Sequence, residues 1–256
     1  MLIATYNVNG IGARLPRLLE WLEERKPDVA CLQEIKCVGE KFPADAVRDA
    51  GYHAIVSGQP GFNGVAILTR EPAEEVQRGL PGDDEDMQAR YLEADVGGVR
   101  VASIYLPNGN PVPGPKFDYK LAWMERLHAR AELLWTLERP VVLAGDYNVC
   151  PTDEDLFSVQ ALANDALAQP ESRSSFRRLV NRGWTDALRV KQSQGRIYTF
   201  WDYQAGAWQR DAGLRIDHLL LSPQAADKFK DAQVDKHIRG KERASDHAPT
   251  WVELDF

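Results

Sequence analysis

The chain has 256 residues, of which 44% are hydrophobic and 27% charged. That balance excludes collagen-like, disordered and disulfide-scaffold classes. A chain of this length can bury roughly three-quarters of its unfolded surface, so one α/β domain spanning residues 1–256 is expected, and its formal net charge of −7 lacks the basic footprint usual for nucleic-acid binding.

Taken in chain order, Leu2–Val8 reads as a short strand ending at the turn dipeptide Asn9-Gly10. Leu15, Leu18, Leu19 and Leu22 recur at helical spacing until Pro27. Asp28–Gln33 reads as a second strand, Pro43–Ala50 as a short helix, and Tyr52–Ser57 and Gly64–Thr69 as strands. Ala89–Val96 and Val99–Tyr105 form a hairpin pattern around Gly97-Gly98. The turn-rich Asn108–Pro115 is read as a surface loop, and Phe117, Leu121, Met124, Leu127, Ala131 and Leu134 as one long helical stripe. Pro140–Ala144 is a buried strand, and Ser174–Asn181 a helix. Strands are expected at Ile197–Asp202, Arg215–Leu221, Val234–Ile238 and Ala248–Leu254. Both halves mix strands and helices, which predicts a large mixed sheet or two packed sheets with helices outside.

Three cysteines, Cys31, Cys37 and Cys150, with no C-x-x-C pair, point to a reducing compartment and away from a zinc ribbon. Cys31, inside an apolar run, reads as a small buried hydrophobe. The opening MLIATYNVNG lacks the basic region and long apolar core of a signal peptide, and no apolar run approaches the length of a membrane span. A cytoplasmic protein with no membrane partner is expected.

Polar residues gather where apolar strands end. Asn7 and Asn9 follow the first strand, Gln33 and Glu34 the second, Tyr105 and Asn108 the Val99 strand. Asp146 and Asn148 follow Pro140–Ala144, Asp217 stands in the Arg215 strand, and Asp246-His247 precedes the last one. Each alone has an ordinary reading as a turn residue, a cap, a solvated charge or a half-buried aromatic. Together they describe a chemistry. Carboxylate and amide oxygens without cysteine favour a hard cation such as Mg²⁺, whose shell is often completed by phosphate oxygens. A histidine held by an aspartate suits a phosphate oxygen, and an Asp with an Asn two residues on can orient and deprotonate water. The combination is that of metal-assisted phosphodiester hydrolysis.

The segments TYNVNG (5–10), PDVACLQEIK (27–36), GVAIL (64–68), GDDEDMQAR (82–90), YLPNG (105–109), GDYNVCPTD (145–153), YTFWDY (198–203), RIDHLLLS (215–222) and SDHAP (245–249) resemble the exonuclease III / AP endonuclease family of the deoxyribonuclease I-like superfamily. They span nearly the whole chain, and GDDEDMQAR, YTFWDY and RID narrow the resemblance to the AP endonuclease branch. It implies a four-layered α/β sandwich of two packed mixed β-sheets flanked by helices. It implies a Mg²⁺-dependent nuclease, with Mn²⁺ as a substitute, acting on abasic sites and 3′ ends of duplex DNA as a monomer associated with a bacterial nucleoid. On this resemblance Glu34, Asn7, Asn9 and Asp246 lie at the metal; Asp146 activates water; Asn148, Tyr105 and His247 with its partner Asp217 serve the phosphate. Asn108 and Lys36 are substrate contacts, and Phe200, Leu214 and Ile216 line a pocket for a flipped abasic sugar. Leu214 stands where some members carry Trp, and Asn9 where some carry Asp; His218, beside Asp217, reads as a packing residue. A phosphohydrolase acting on a lipid or inositol phosphate and a non-catalytic DNA-binding homologue are the competing readings.

The charge is uneven. Residues 71–95 hold nine acids and two bases, an excess equal to the whole net charge. Residues 173–196 hold seven bases against Asp186 alone, and residues 228–243 six bases against three acids. The net charge therefore describes one acidic segment, expected to lie away from DNA, and leaves a nucleic-acid substrate open.

Overall fold

The computed structural model describes residues Met1–Phe256. In chain order the elements are β1 (Leu2–Asn7), α1 (Ile11–Arg25), β2 (Val29–Gln33), α2 (Ala44–Asp49), β3 (His53–Ser57), β4 (Val65–Thr69), β5 (Glu74–Arg78), β6 (Tyr91–Val96), β7 (Val99–Tyr105) and α3 (Pro115–Trp135). Then come β8 (Val141–Asp146), α4 (Pro170–Arg182), β9 (Thr185–Asp186), α5 (Ala187–Lys191), β10 (Asp217–Leu221), α6 (Pro223–Ala226), β11 (Phe229–Val234), α7 (Lys236–Arg239) and β12 (Thr250–Leu254).

The strands form two six-stranded mixed sheets, ordered β11-β12-β1-β2-β4-β3 and β5-β6-β7-β8-β10-β9. Each has a single parallel pair at its centre, β1 with β2 and β7 with β8, crossed over by α1 and α3 respectively. All other pairs are antiparallel. The strand alternation makes the layers. Ile3, Val29, Cys31 and Ile67 of one sheet meet Ala94, Val101, Val142 and Leu219 of the other in the central core. The opposite faces pack Ala4, Tyr6 and Leu32 against Trp21 and Leu22 of α1, and Ile104, Leu143 and Leu220 against Trp123, Met124 and Leu127 of α3 and Phe176 of α4. The result is the four-layered helix–sheet–sheet–helix sandwich expected. No helix is long and apolar enough to cross a membrane.

Most expected elements form, with ends displaced by a few residues. The Gly97-Gly98 hairpin turns with both glycines at positive φ, 54° and 86°, as a type I′ turn requires. Two readings change. Ile197–Asp202 is not a strand. Its backbone bonds split between Leu214 and Asp246, leaving isolated bridges at Phe200 and no ladder. Val234–Ile238 is divided, with β11 ending at Val234 and α7 following. At the break Asp235 leaves extended backbone (φ −79°, ψ 62°) to cap α7, and its carboxylate accepts from the indoles of Trp21 and Trp251 and from Arg25. β5 went unseen because its solvent-facing EEVQR has no apolar alternation; it is an edge strand with a register irregularity.

The acidic segment is also less acidic in space than in sequence. Glu93 is buried between Arg100 and Arg130, Asp95 pairs with Arg100 and Arg139, and Asp86 with Arg126. The basic runs are spent similarly, Arg173 on Asp153, Arg178 on Glu125, Arg189 on Asp155, Lys191 on Asp231 and Lys236 on Asp211. Local pairing cancels much of both extremes.

Candidate active site

β1, β2, β7 and β8 end at one edge of the sandwich, and the antiparallel β10 and β12 begin there. Asn7 stands opposite Gln33 in the first sheet, and Asp146 is flanked by Tyr105 and Asp217 in the second. Gly145 allows this close register, since a Cβ there would collide with the Ile104 carbonyl of β7. One hydrogen bond network joins the sheets at this edge. The Asn7 amide nitrogen donates to Glu34 Oε1 and to Asp146 Oδ2, both at 2.9 Å. Four non-glycine residues of this edge, Asn9, Glu34, Lys36 and Asn148, have φ between 45° and 53°. Such left-handed backbone is uncommon outside glycine and asparagine, and for Glu34 and Lys36 it costs about 1–2 kcal/mol each. Its concentration here means the surrounding bonds hold these side chains in place at a cost in stability.

His247 is buried beside Asp146. Its Nδ1 lies 2.8 Å from Asp217 Oδ2, and its Nε2 lies 3.8 Å from Asp146 Oδ2. Asp217 is positioned by Thr199, whose hydroxyl accepts from the backbone N–H groups of Ile216 and Asp217. Burial opposes a charge on His247, but the Asp217 carboxylate outweighs it and raises the imidazole to about 10, so it is cationic at neutral pH. Burial also acts on Asp146. Aided by Asp217 and Glu34, it pushes the carboxyl up to about 7 against the opposing pull of His247 and Asn7. Glu34 goes the other way. The Asn7 amide and the Lys36 ammonium overcome its burial and hold it below the usual carboxylate range. Burial and the neighbouring Glu34 and Asp146 carboxylates raise the Tyr105 phenol well above its ordinary value, so it remains a donor.

The oxygen-rich donor set, with no cysteine in the cluster, fits a hard divalent cation. One ligand atom each from Glu34, Asp146 and His247 lie within 4.8 Å of one another. His247 is the poor member of that group, because a cationic imidazole has no lone pair to give. Asn9 and Asp246 complete the opposite side, with Asn9 Nδ2 donating to Asp246 Oδ1 at 3.0 Å. Lys36, expected to contact substrate, lies 2.8 Å from Glu34 Oε2 and 2.5 Å from Asn9 Oδ1. It thus balances the same carboxylate a cation would bind. Asn7 uses its amide nitrogen on two carboxylates and its oxygen on the Asn9 N–H. In this arrangement it ties the two carboxylates together and holds the Asn9 backbone.

Asn148 and Asn108 meet, the Asn108 amide donating to Asn148 Oδ1 at 3.2 Å. Phe200 stacks edge-on to His247, with ring centroids 4.9 Å apart, and pairs with Leu214. Leu214 and Ile216 belong to a small cluster with Cys150, Leu156, Leu162 and Leu167, and Ile216 is only 2% exposed. Phe200 is partly exposed beside His247, whereas Leu214 and Ile216 are buried.

Sequence reasoning passed over three contributors. Arg90 lies over the Tyr105 ring at 4.7 Å, and Ser245 donates to the Asn7 carbonyl at 2.6 Å while accepting from the His247 N–H. Both fall inside quoted motifs, but nothing in the sequence separates them from turn residues. The third is a buried ion network behind the site. Arg215 donates to Asp155 and to Asp186, each at 2.6 Å, and Arg189 joins Asp155. His218 is fully buried, as its reading as a packing residue requires, with Nε2 on the Val149 carbonyl and Nδ1 facing Arg215. Burial, then Arg215, lowers its pKa from 6.5 to about 4. As pH falls through that window the unfolded chain takes up a proton that the folded one refuses, so stability is lost. His218→Gln is expected to flatten this slope, measured as urea unfolding midpoints across the window.

A family model for the endonuclease/exonuclease/phosphatase family matches residues 4–247. Exodeoxyribonuclease III of Haemophilus influenzae is 33% identical over 266 aligned positions, covering 99% of this chain and all of that protein. The AP endonuclease of Archaeoglobus fulgidus superposes with a TM-score of 0.94 at 36% identity over the full length of both chains. The Neisseria 3′ phosphatase NExo, solved bound to a product DNA hairpin, superposes at 0.95 with 39% identity, again covering both chains entirely.

Proposed function

The chain belongs to the endonuclease/exonuclease/phosphatase family, in its exonuclease III and AP endonuclease branch, and on that premise we propose that it is a DNA-repair nuclease that hydrolyses phosphate esters at abasic sites and 3′ ends of duplex DNA. The observation that carries the reading is the Asn7 amide bridging Glu34 and Asp146, with His247 held by Asp217 alongside. The named activities of the relatives support DNA as the substrate class.

Asp146 is the general base. A carboxyl raised toward neutrality is suited to taking a proton from water at physiological pH. Its Oδ1 is fixed by the Asn148 N–H at 2.9 Å and its Oδ2 by Asn7, so the carboxylate cannot rotate away from the attacking water. His247, kept cationic by Asp217, donates to a phosphate oxygen as charge builds there, and the amides of Asn148 and Asn108 and the Tyr105 hydroxyl orient the ester. A divalent cation, Mg²⁺ with Mn²⁺ as substitute, held by Glu34 with Asn9 and Asp246 nearby, would supply Lewis-acid stabilisation of phosphate charge. At an abasic site the products are a 3′-hydroxyl and a 5′-deoxyribose phosphate. An unpaired sugar is cheap to unstack, and the Phe200–Leu214 wall selects it over a full nucleotide.

Three matched duplexes test this, carrying an abasic analogue, a recessed 3′ end and a 3′-phosphate, each with Mg²⁺ and with EDTA. Cleavage of at least one, lost in EDTA, is expected. Turnover of a lipid or inositol phosphate with all three duplexes intact would transfer the site to another substrate class, and binding without cleavage would make it a non-catalytic homologue.

A further inference from the structure

Lys120 is the one cation on the buried stripe of α3. Phe117, Lys120, Met124 and Leu127 follow one another at helical spacing, and Lys120 is fully buried with its apolar neighbours. A polar group in that position has to be hydrogen-bonded to be tolerated, and burial disfavours its charged form. Its ammonium donates to two backbone carbonyls, Asn148 at 2.6 Å and Asn108 at 3.1 Å. No carboxylate forms a salt bridge with it among the ion pairs of the fold.

These two carbonyls belong to the residues whose amides face the substrate in the proposed reaction. Asn148 sits at φ 48°, in the left-handed region that asparagine tolerates better than other residues with a side chain, and Asn108 lies in the loop between β7 and α3. Their side chains are linked by the Asn108–Asn148 hydrogen bond, and Asn148 is anchored further through Leu106 and Asp146. The lysine therefore pins two loops from below, one following β7 and one following β8. Gly109 completes the arrangement, since a Cβ there would lie 2.6 Å from the Lys120 Cδ, so the loop passes directly over the lysine stem.

We infer that Lys120 is a positioning residue for cleavage, holding the amides of Asn108 and Asn148 in register with Asp146. This rests on the nuclease reading above. Without the Lys120 head group, both carbonyls lose their donor, and the two amides drift from the phosphate. Misplacement of positioning groups by about 1 Å costs on the order of 100-fold in rate. The loss falls on kcat, because contacts of the duplex outside this loop pair are untouched.

The test compares wild type with Lys120→Met, Lys120→Gln, Lys120→Arg and Asp146→Asn on the best cleaved duplex, with melting temperatures recorded for each. Lys120→Met is expected to lower kcat by about 100-fold with KM within about threefold, Lys120→Gln to lose about tenfold, and Lys120→Arg, which keeps donors, to recover most of the rate. A folded Lys120→Met with wild-type kcat overturns the inference. So does a loss that appears in KM alone, or one that Lys120→Arg leaves unrepaired while restoring the melting temperature. If Lys120→Met does not fold, Lys120→Gln decides, and wild-type kcat in that folded variant overturns it equally. Absence of cleavage by the wild type defeats the nuclease reading itself. Wild-type cleavage that Asp146→Asn abolishes and the Lys120 substitutions spare defeats only the role of Lys120.

Discussion

Asp146→Asn is expected to lower kcat on duplex DNA by about 1,000-fold or more, within the range associated with loss of a general base, while KM changes little. The amide cannot accept the proton of water, and it places a donor where Asn7 Nδ2 already donates. The fold should survive. Asp146 is buried among Asp217 and Glu34, which together with burial raise its pKa, so its charge works against the folded state. A neutral amide of the same shape removes that repulsion, and the melting temperature is expected to stay level or rise, as is usual when an active site gives up an unfavourable charge. Steady-state kinetics and a thermal melt on the same preparation check both halves. A variant that keeps more than about a tenth of wild-type kcat would remove Asp146 from the role of base.

Arg215→Leu carries the largest expected effect on stability. The guanidinium is buried between Asp155 and Asp186, with Arg189 as a second partner of Asp155. Removing it leaves Asp186 without its ion pair and Asp155 with Arg189 alone. Breaking a buried pair by deleting one partner costs roughly 3–5 kcal/mol, a large share of the stability of an ordinary domain. Asp155 is held well below the usual carboxylate range, since Arg215 and Arg189 outweigh the opposing effect of burial. Its ionisation therefore stabilises the fold above the normal carboxylate range, and that contribution is lost as pH falls through the folded value. Urea unfolding at neutral pH should show the full loss for Arg215→Leu, with a shallower acid limb than wild type. A midpoint unchanged at neutral pH would contradict the account of this network.

Much of the site was legible because its residues interrupt apolar strands, and strands have a simple period. Asn7, Glu34, Asp146, Asp217 and His247 all stand at strand ends that the sandwich brings to one edge. Strand boundaries depend on tertiary partners and were less legible. Asp235, just after β11, is held by Trp21 and Arg25 of α1, more than two hundred residues away, and by Trp251 of β12. Ile197–Asp202 has strand composition, yet its neighbours take its backbone bonds one at a time. Lys120 and Arg215 left signals of another kind, a charge on a helical apolar stripe and a charge at the mouth of an apolar strand. Both are visible in the sequence, but only the three-dimensional partners, two carbonyls for one and two carboxylates for the other, give them a purpose. Charge runs misled in the opposite direction, since most of Arg173–Arg196 is spent on neighbouring acids.

In the proposed reaction water attacks phosphorus at a site built from Asp146, His247 and Glu34. Cleavage of an abasic duplex in ¹⁸O-enriched water with Mg²⁺, followed by mass spectrometry of the products, tests it most directly. One ¹⁸O atom in the phosphate of the released 5′ end, beside an unlabelled 3′-hydroxyl, is the result expected. An unlabelled phosphate accompanied by an unsaturated sugar at the 3′ end would mean that the carbon–oxygen bond had been broken by elimination, and would exclude hydrolysis at phosphorus.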